Sequence, residues 1–308
     1  MSHATNTGLR QTSVVVAGVR SPVLEAGPSN ADEAAVFVHG NPGPARDWAV
    51  LAARAGAFGR AVAPDMPGFG DADKPAGFDY TVPGYARHLK GVLGELGIRR
   101  AHLVLHDFGG PWGLAWAAEH PDAFASAVLI NTGVLLDYRW HYLARIWRTP
   151  VVGELFLATT TLPGLRLALR HGNPKGLPAA YTASMLQSFK DPGTRRAILR
   201  LYRATSRPGE AADQLAAALR PLNRPALVVW GAGDPYIPVR YARRQQEVFA
   251  GARVVILEAS GHWPFIDDPD GVARAVLPFL REQLGAGQGP PAPLAENAEN
   301  AENVEKEA

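Results

Sequence analysis

The chain is predicted to be an α/β protein, built on an open, mostly parallel sheet with helices on both faces. Three observations predict it. Short apolar runs alternate with helical patterns along most of the 308 residues, as crossover-connected parallel strands require. Several runs, Ala61–Pro64 and Ala226–Trp230 among them, are continuously apolar, which suits strands covered on both faces. Finally, Val104-Leu105-His106-Asp107-Phe108-Gly109-Gly110-Pro111-Trp112-Gly113 reads as a buried strand, a tight glycine turn and the start of a helix. The acid at its tip costs desolvation and needs a reason.

Met1 to about Gln11 is small and polar and is expected to be a flexible N-terminus. Strands are then predicted at Thr12–Val19, Ala35–His39, Ala61–Pro64, His102–His106, Ala125–Ile130, Ala226–Trp230 and Arg253–Glu258. Helices are predicted between them. Val82–Leu96 carries Tyr85, Leu89, Val92, Leu93 and Leu96 on one face, at helical spacing. Pro111–Glu119 follows the Asp107 turn, and Val239–Phe249 and Asp268–Leu284 follow the last two strands. Residues 135–219 break the alternation with helical patterns rich in Leu, Ala, Arg, Trp and Tyr. They are read as a helical cap over the sheet's carboxyl edge, where such folds bind ligands. Residues 12–134 and 220–284 then form one core. Residues 285–308 run from Gly-Ala-Gly-Gln-Gly-Pro-Pro into an Ala-Glu-Asn repeat and are expected to be a disordered acidic tail.

Composition excludes several functions. A formal net charge of +2, with no basic run, does not suit nucleic acid. Cysteine is absent, which removes disulfides, thiolate catalysis and Cys-ligated metals. Neither a leader pattern nor a membrane-length apolar run is visible. The expectation is a soluble, cytoplasmic protein with no cofactor and no metal, whose partners are water and a small hydrophobic substrate.

Chemistry concentrates in three places. Asp107 stands at the turn already described. Phe37-Val38-His39-Gly40-Asn41-Pro42-Gly43 follows a strand. Val228-Val229-Trp230-Gly231-Ala232-Gly233-Asp234 and Ala259-Ser260-Gly261-His262-Trp263-Pro264 are strand ends running into an acid and a histidine. Asp65-Met66-Pro67-Gly68-Phe69-Gly70 adds a further loop, whose acid is read as structural.

In combination and order, from about Val36 to Leu284, these segments resemble the α/β-hydrolase family. With aspartate in the nucleophile elbow, the likeness is to its epoxide hydrolase and haloalkane dehalogenase branch. The resemblance implies a mostly parallel sheet with a helical cap inserted after the sixth strand. It also implies Asp107 as nucleophile, His262 as base and Asp234 as its acid partner, with the backbone N–H groups of Asn41 and Phe108 as oxyanion hole. A carboxylate near its reference pKa is ionised at neutral pH and attacks saturated carbon well. Water activated by His262 would then hydrolyse the alkyl ester.

Two substrate classes suit that chemistry. Epoxides need a proton donor for the departing alkoxide, and the cap carries Tyr138, Tyr142, Tyr181 and Tyr202. Halides need N–H donors. Asn41 fits the asparagine that many dehalogenases carry there, but Phe108 replaces their tryptophan donor, leaving Trp112, Trp140 or Trp147 as substitutes. Asn131, after the next strand, stands where some dehalogenases place their acid. Trp112, Asn131 and Trp140 are therefore expected at the pocket, and the available tyrosines favour epoxides slightly. Removing residues 286–308 is predicted to leave activity and melting temperature nearly unchanged; a large loss of either would mean that the tail docks.

Overall fold

The computed structural model describes residues 8–173 and 175–285. Its first half runs β1 (Arg10–Val16), β2 (Val19–Ala26), β3 (Glu33–Val38), α1 (Ala49–Ala55), β4 (Arg60–Pro64), α2 (Val82–Glu95), β5 (Arg100–His106), α3 (Gly109–Glu119) and β6 (Phe124–Ile130). Six helices follow: α4 (Tyr142–Arg148), α5 (Val152–Thr159), α6 (Leu162–Arg170), α7 (Ala179–Lys190), α8 (Pro192–Ala204) and α9 (Pro208–Leu219). The chain returns with β7 (Ala226–Gly231), α10 (Arg240–Arg244), β8 (Arg253–Leu257), α11 (Pro264–Asp267) and α12 (Pro269–Gly285).

The eight strands form one sheet in the order β1-β2-β4-β3-β5-β6-β7-β8. β1 and β2 are antiparallel to their neighbours, and the pairs from β4 to β8 are parallel. Every residue of β4, β6 and β7 is buried, because helices cover both faces of the parallel part. The six helices α4–α9 lie between β6 and β7 in sequence, so the cap follows the sixth strand as expected.

Two boundaries differ from the sequence reading. Arg10 and Gln11, expected in a flexible lead-in, belong to β1. The single strand expected at Thr12–Val19 is a hairpin that turns at Ala17 and Gly18, both with positive φ (48° and 79°). A two-residue turn of that kind matches the twist of its flanking strands. The missed strand, β2, contains Pro22, a residue usually kept out of paired strands. The expected acidic tail lies outside the described residues, apart from Gly285 at the end of α12.

The topology brings five segments to one edge. β3, β5, β6, β7 and β8 all run parallel, so the loops carrying Asn41, Asp107, Asn131, Asp234 and His262 emerge at their carboxyl ends, as ligand-binding α/β sheets require. The tightest point is the β5–α3 turn. A Cβ on Gly109 would lie 2.3 Å from the Val38 carbonyl oxygen and 2.8 Å from that of His39, both backbone atoms with no freedom to withdraw. Gly109→Ala is predicted to destabilise the protein by about 1–3 kcal/mol, measured by urea denaturation; an unchanged midpoint would show that the turn is not packed in this way.

Candidate active site

Asp107 sits at the tip of the β5–α3 turn with φ of 49°, a left-handed conformation that non-glycine residues seldom hold without a functional reason. The conformation is locked on both sides. Thr132 Oγ1 donates to the Asp107 carbonyl at 2.6 Å, and Gly110 N–H donates to the same oxygen at 3.0 Å. The carboxylate side chain is 12% exposed. Its Oδ1 accepts the Asn41 N–H at 2.7 Å, while Oδ2 lies 3.6 Å from His262 Nε2. The two oxygens thus have different surroundings, one held by backbone and the other turned to an imidazole.

The Asn41 loop is set by His39. Nδ1 of that ring donates to the Gly40 carbonyl at 2.7 Å, and Nε2 accepts the Met66 N–H at 2.9 Å. Burial lowers the His39 pKa, which suits a neutral ring with one donor and one acceptor. The loop approaches the elbow so closely that a Cβ on Gly40 would stand 2.3 Å from the Asp107 Cβ. Asp65 supports the same wall by accepting Ala45 N–H at 2.6 Å and Asp71 N–H at 2.9 Å.

His262 Nδ1 donates to Asp234 Oδ2 at 2.7 Å. Asp234 is fully occupied: Oδ1 accepts the N–H groups of Tyr236 and Ile237 at 2.8 and 3.0 Å, and Oδ2 also accepts Asn131 Nδ2 at 2.7 Å. Asn131 is itself fixed, its Oδ1 accepting Gly231 N–H at 2.9 Å. The backbone around His262 is tied down by His262 N–H to Gly172 carbonyl, at 3.1 Å, and by its own carbonyl, which accepts His106 Nε2–H at 2.8 Å. Burial pushes the His106 pKa down to about 3, so that ring is a neutral spacer beneath the site.

Electrostatics join the three groups. Burial alone would lower the His262 pKa, but the two flanking carboxylates overcome it and raise the imidazole to about 10. Burial alone would likewise raise Asp107; the His262 imidazole and the Asn41 N–H reverse this and hold it at about 2. Both shifts act in the same direction, favouring an anionic Asp107 facing a cationic His262.

Two cavities share Asp107, His141 and Tyr202 in their walls. The first, of about 280 Å³, is lined by Asn41, Asp107, Trp147, Tyr202, Tyr236 and His262, and closed by apolar side chains of α5–α7. The second, of about 370 Å³, runs from Asp107 and Phe108 between α3 and α9. His141 and Tyr202 border both. His141 caps α4, its Nδ1 accepting Ala144 N–H at 3.3 Å, and burial lowers its pKa to about 4.

The structure brings Asp107, His262, Asp234, Asn41 and Phe108 together, and rearranges the other expected residues. Trp112 is not at the pocket but in the core, stacked on Tyr85 at 4.0 Å between centroids. One helical step of 100° turns it away from Pro111, which faces the second cavity. Asn131 is fully buried behind the site and binds Asp234 rather than substrate. Trp140 borders only the second cavity, with its indole N–H spent on the Thr205 carbonyl at 3.0 Å. Among the expected proton donors, Tyr138 gives its hydroxyl to the Tyr236 carbonyl at 3.0 Å. Tyr142 is 43% exposed and lines neither cavity. Tyr181 donates to Asp47 Oδ2 at 3.0 Å, an acid that burial raises to about 7. Tyr202 lines both cavities with Asp107, and Tyr138 lines the second. Sequence reasoning missed His141 and Tyr236; the latter stands two residues after Asp234, a usable signal, whereas nothing marked His141 among the cap aromatics.

The chain belongs with known proteins on three counts. A family model described as alpha/beta hydrolase fold matches residues 35–269. A haloalkane dehalogenase of Mesorhizobium japonicum is 28% identical over 302 residues, covering 92% of this chain and 94% of that protein. A 2-hydroxy-6-oxo-2,4-heptadienoate hydrolase of Pseudomonas putida is 28% identical over 280 residues, covering 87% and 95%. The crystal structure of haloalkane dehalogenase DbeA from Bradyrhizobium elkani superposes with a TM-score of 0.79 at 24% identity, over 90% of this chain and 99% of that one.

One prediction follows from the charges. His262, raised from 6.5 to about 10, contributes stability that is complete below pH 6.5 and is lost as pH rises through about 10. Asp107, lowered from 3.8 to about 2, contributes stability present above pH 3.8 and lost as pH falls through about 2. In urea denaturation, the stability difference between wild type and His262→Gln should therefore shrink from about pH 6.5 to about pH 10; a difference that is flat across that interval would contradict the ion pair. With its sheet order, its cap and its matched family model, the chain belongs to the α/β-hydrolase fold family and is a hydrolase.

Proposed function

We propose that the protein is a hydrolase of haloalkane dehalogenase type, acting through an alkyl ester on Asp107. One observation carries this reading. The first cavity is lined, with Asp107, by Asn41 and Trp147, whose buried side-chain nitrogens have no partner at hydrogen-bonding geometry among the described residues, Tyr202 being the hydroxyl that faces the Asn41 amide. Buried donors are almost always paired, and an anion leaving the substrate is the partner that this pair lacks. Trp147 comes from the cap and packs on Tyr202 at 4.9 Å between centroids, so it supplies the donor that Phe108 cannot. The likeness to haloalkane dehalogenases in sequence and fold supports the same reading.

The reaction then runs in two halves. Asp107 Oδ2 attacks a saturated carbon, the carbon–halogen bond breaks with its electron pair on the halide, and the halide leaves towards Asn41 and Trp147. The ester is neutral, so His262 loses one of the anions that hold its proton and releases that proton to solvent. Neutral His262, oriented by Asp234, next takes a proton from water as its oxygen attacks the Asp107 carbonyl carbon. The oxyanion forms on Oδ1, already held by Asn41 N–H, with Phe108 N–H as second donor. Collapse gives the alcohol, which carries the other water proton. Asp107 is again anionic and His262 again protonated.

A second reading is epoxide opening, favoured by Tyr202, whose ring borders both cavities beside Asp107. There the alkoxide would take the Tyr202 proton, the proton released by His262 would return to the Tyr202 phenolate, and the product would be a diol. The sequence-based preference for epoxides weakens because Tyr138 and Tyr181 are committed elsewhere and Tyr142 is remote.

Mass spectrometry of His262→Gln given n-hexyl bromide and hexene oxide separates the readings. An alkyl adduct on Asp107 with bromide release supports dehalogenation. An adduct from the epoxide alone supports the second reading, and no adduct from either removes the covalent mechanism. Asp107→Ala should abolish turnover. Asn41→Ala and Trp147→Phe should each lower the rate of bromide release about 10²-fold, and an unchanged rate would take the halide site away.

A further inference from the structure

We infer that the substrate bears its leaving group on an internal carbon flanked by two apolar arms, one in each cavity at Asp107. This rests on the displacement mechanism proposed above and adds the shape of the substrate. The second cavity is larger than the first (about 370 against 280 Å³), and substrate release at the first cavity does not need it. Asp107 lines both, so a carbon bound to its carboxylate would have a cavity on either side.

The geometry of displacement at saturated carbon fits that arrangement. The nucleophile and leaving group lie on one line, and the other three substituents splay around it. With the leaving group towards Asn41 and Trp147, a secondary carbon directs one chain under α5–α7 and the other between α3 and α9. The third substituent is hydrogen. A primary carbon fills one cavity and leaves the other empty.

The walls of the second cavity are built for a chain. Pro111, Ala115 and Ala118, spaced i, i+4 and i+7 along α3, face Ala211, Ala212 and Leu215 of α9. Small side chains on both helices keep the passage open. At its far end stand Glu119 and Gln214, which suit solvent. In the first cavity the closing side chains are Leu143, Phe156, Leu165, Leu169, Met185 and Phe189, again apolar. Apart from Glu119 at the solvent end of the second cavity and the hydroxyls of Thr159, Thr160 and Thr161 in the first, the arms are apolar, so both chains are mainly hydrocarbon.

The test compares n-octyl bromide with its isomer brominated at the fourth carbon, using wild type, Ala118→Leu and Ala212→Phe. These residues touch no part of the catalytic machinery. Filling the second cavity should lower kcat/KM for the internal bromide about tenfold or more, and change that for the terminal bromide by less than about twofold. Equal losses for both isomers would mean that the passage carries water or product, and no loss for either would leave it without a role; each overturns the proposal. A measurement on unaltered protein guards against misfolded variants. With one arm fixed as butyl, lengthening the other from methyl to butyl on a secondary bromide should lower KM stepwise, and a constant KM overturns the proposal. If His262→Gln forms no ester with any bromide, the displacement reading itself fails. An ester from terminal bromides with no gain from a second arm refutes only the two-armed site.

Discussion

A carboxylate buried at the end of a parallel sheet is expensive, and the surrounding structure is arranged around keeping it charged. Isolated, Asp107 would protonate rather than bear the desolvation. Its anion persists because His262 faces one oxygen and the Asn41 N–H binds the other. The imidazole in turn stays charged only because Asp234 stands behind it, with every lone-pair direction of that acid engaged by Tyr236, Ile237, Asn131 and His262. Removing any one partner leaves an uncompensated charge. The strand ends, the left-handed turn at Asp107 and the close glycines all serve this single electrostatic unit.

In the proposed mechanism that unit would also time the reaction. While Asp107 is anionic, His262 holds its proton and is no base. On the proposed mechanism, esterification of Asp107 would remove the anion that raises the imidazole, and the base would become available when there is an ester to hydrolyse. The switch needs no movement of the fold, only the loss of one charge. It also suits a mainly apolar cavity above the carboxylate, since water there would screen the same interactions.

The core was legible from sequence because its chemistry sits at fixed points on the strand pattern. Asp107, Asp234 and His262 each follow an apolar run and stand within two residues of a glycine, and their chain order could be read directly. β2 was not legible, since Pro22 and the Ala17–Gly18 turn carry none of the usual hairpin dipeptides. Asn131 was noticed but misplaced. Its position after β6 was right, yet a turn with φ of 45° sends the amide sideways to Asp234 instead of into the pocket. The cap was the least legible part. Tyr138, Tyr142, Tyr181 and Tyr202 are chemically alike in sequence, and only the packing of α4–α9 decides that the last of them reaches Asp107. The same packing brings Trp147 to the cavity and leaves Trp112 in the core.

The central claim is that the oxygen delivered to the product comes from Asp107 and not directly from water. A single turnover in water enriched in heavy oxygen, with enzyme in excess over an alkyl bromide, tests it most directly. The account predicts an alcohol carrying ordinary oxygen and a heavy oxygen in the Asp107 carboxylate, located by mass spectrometry of the peptide. Heavy oxygen in the alcohol of the first turnover, with an unlabelled Asp107, would contradict it.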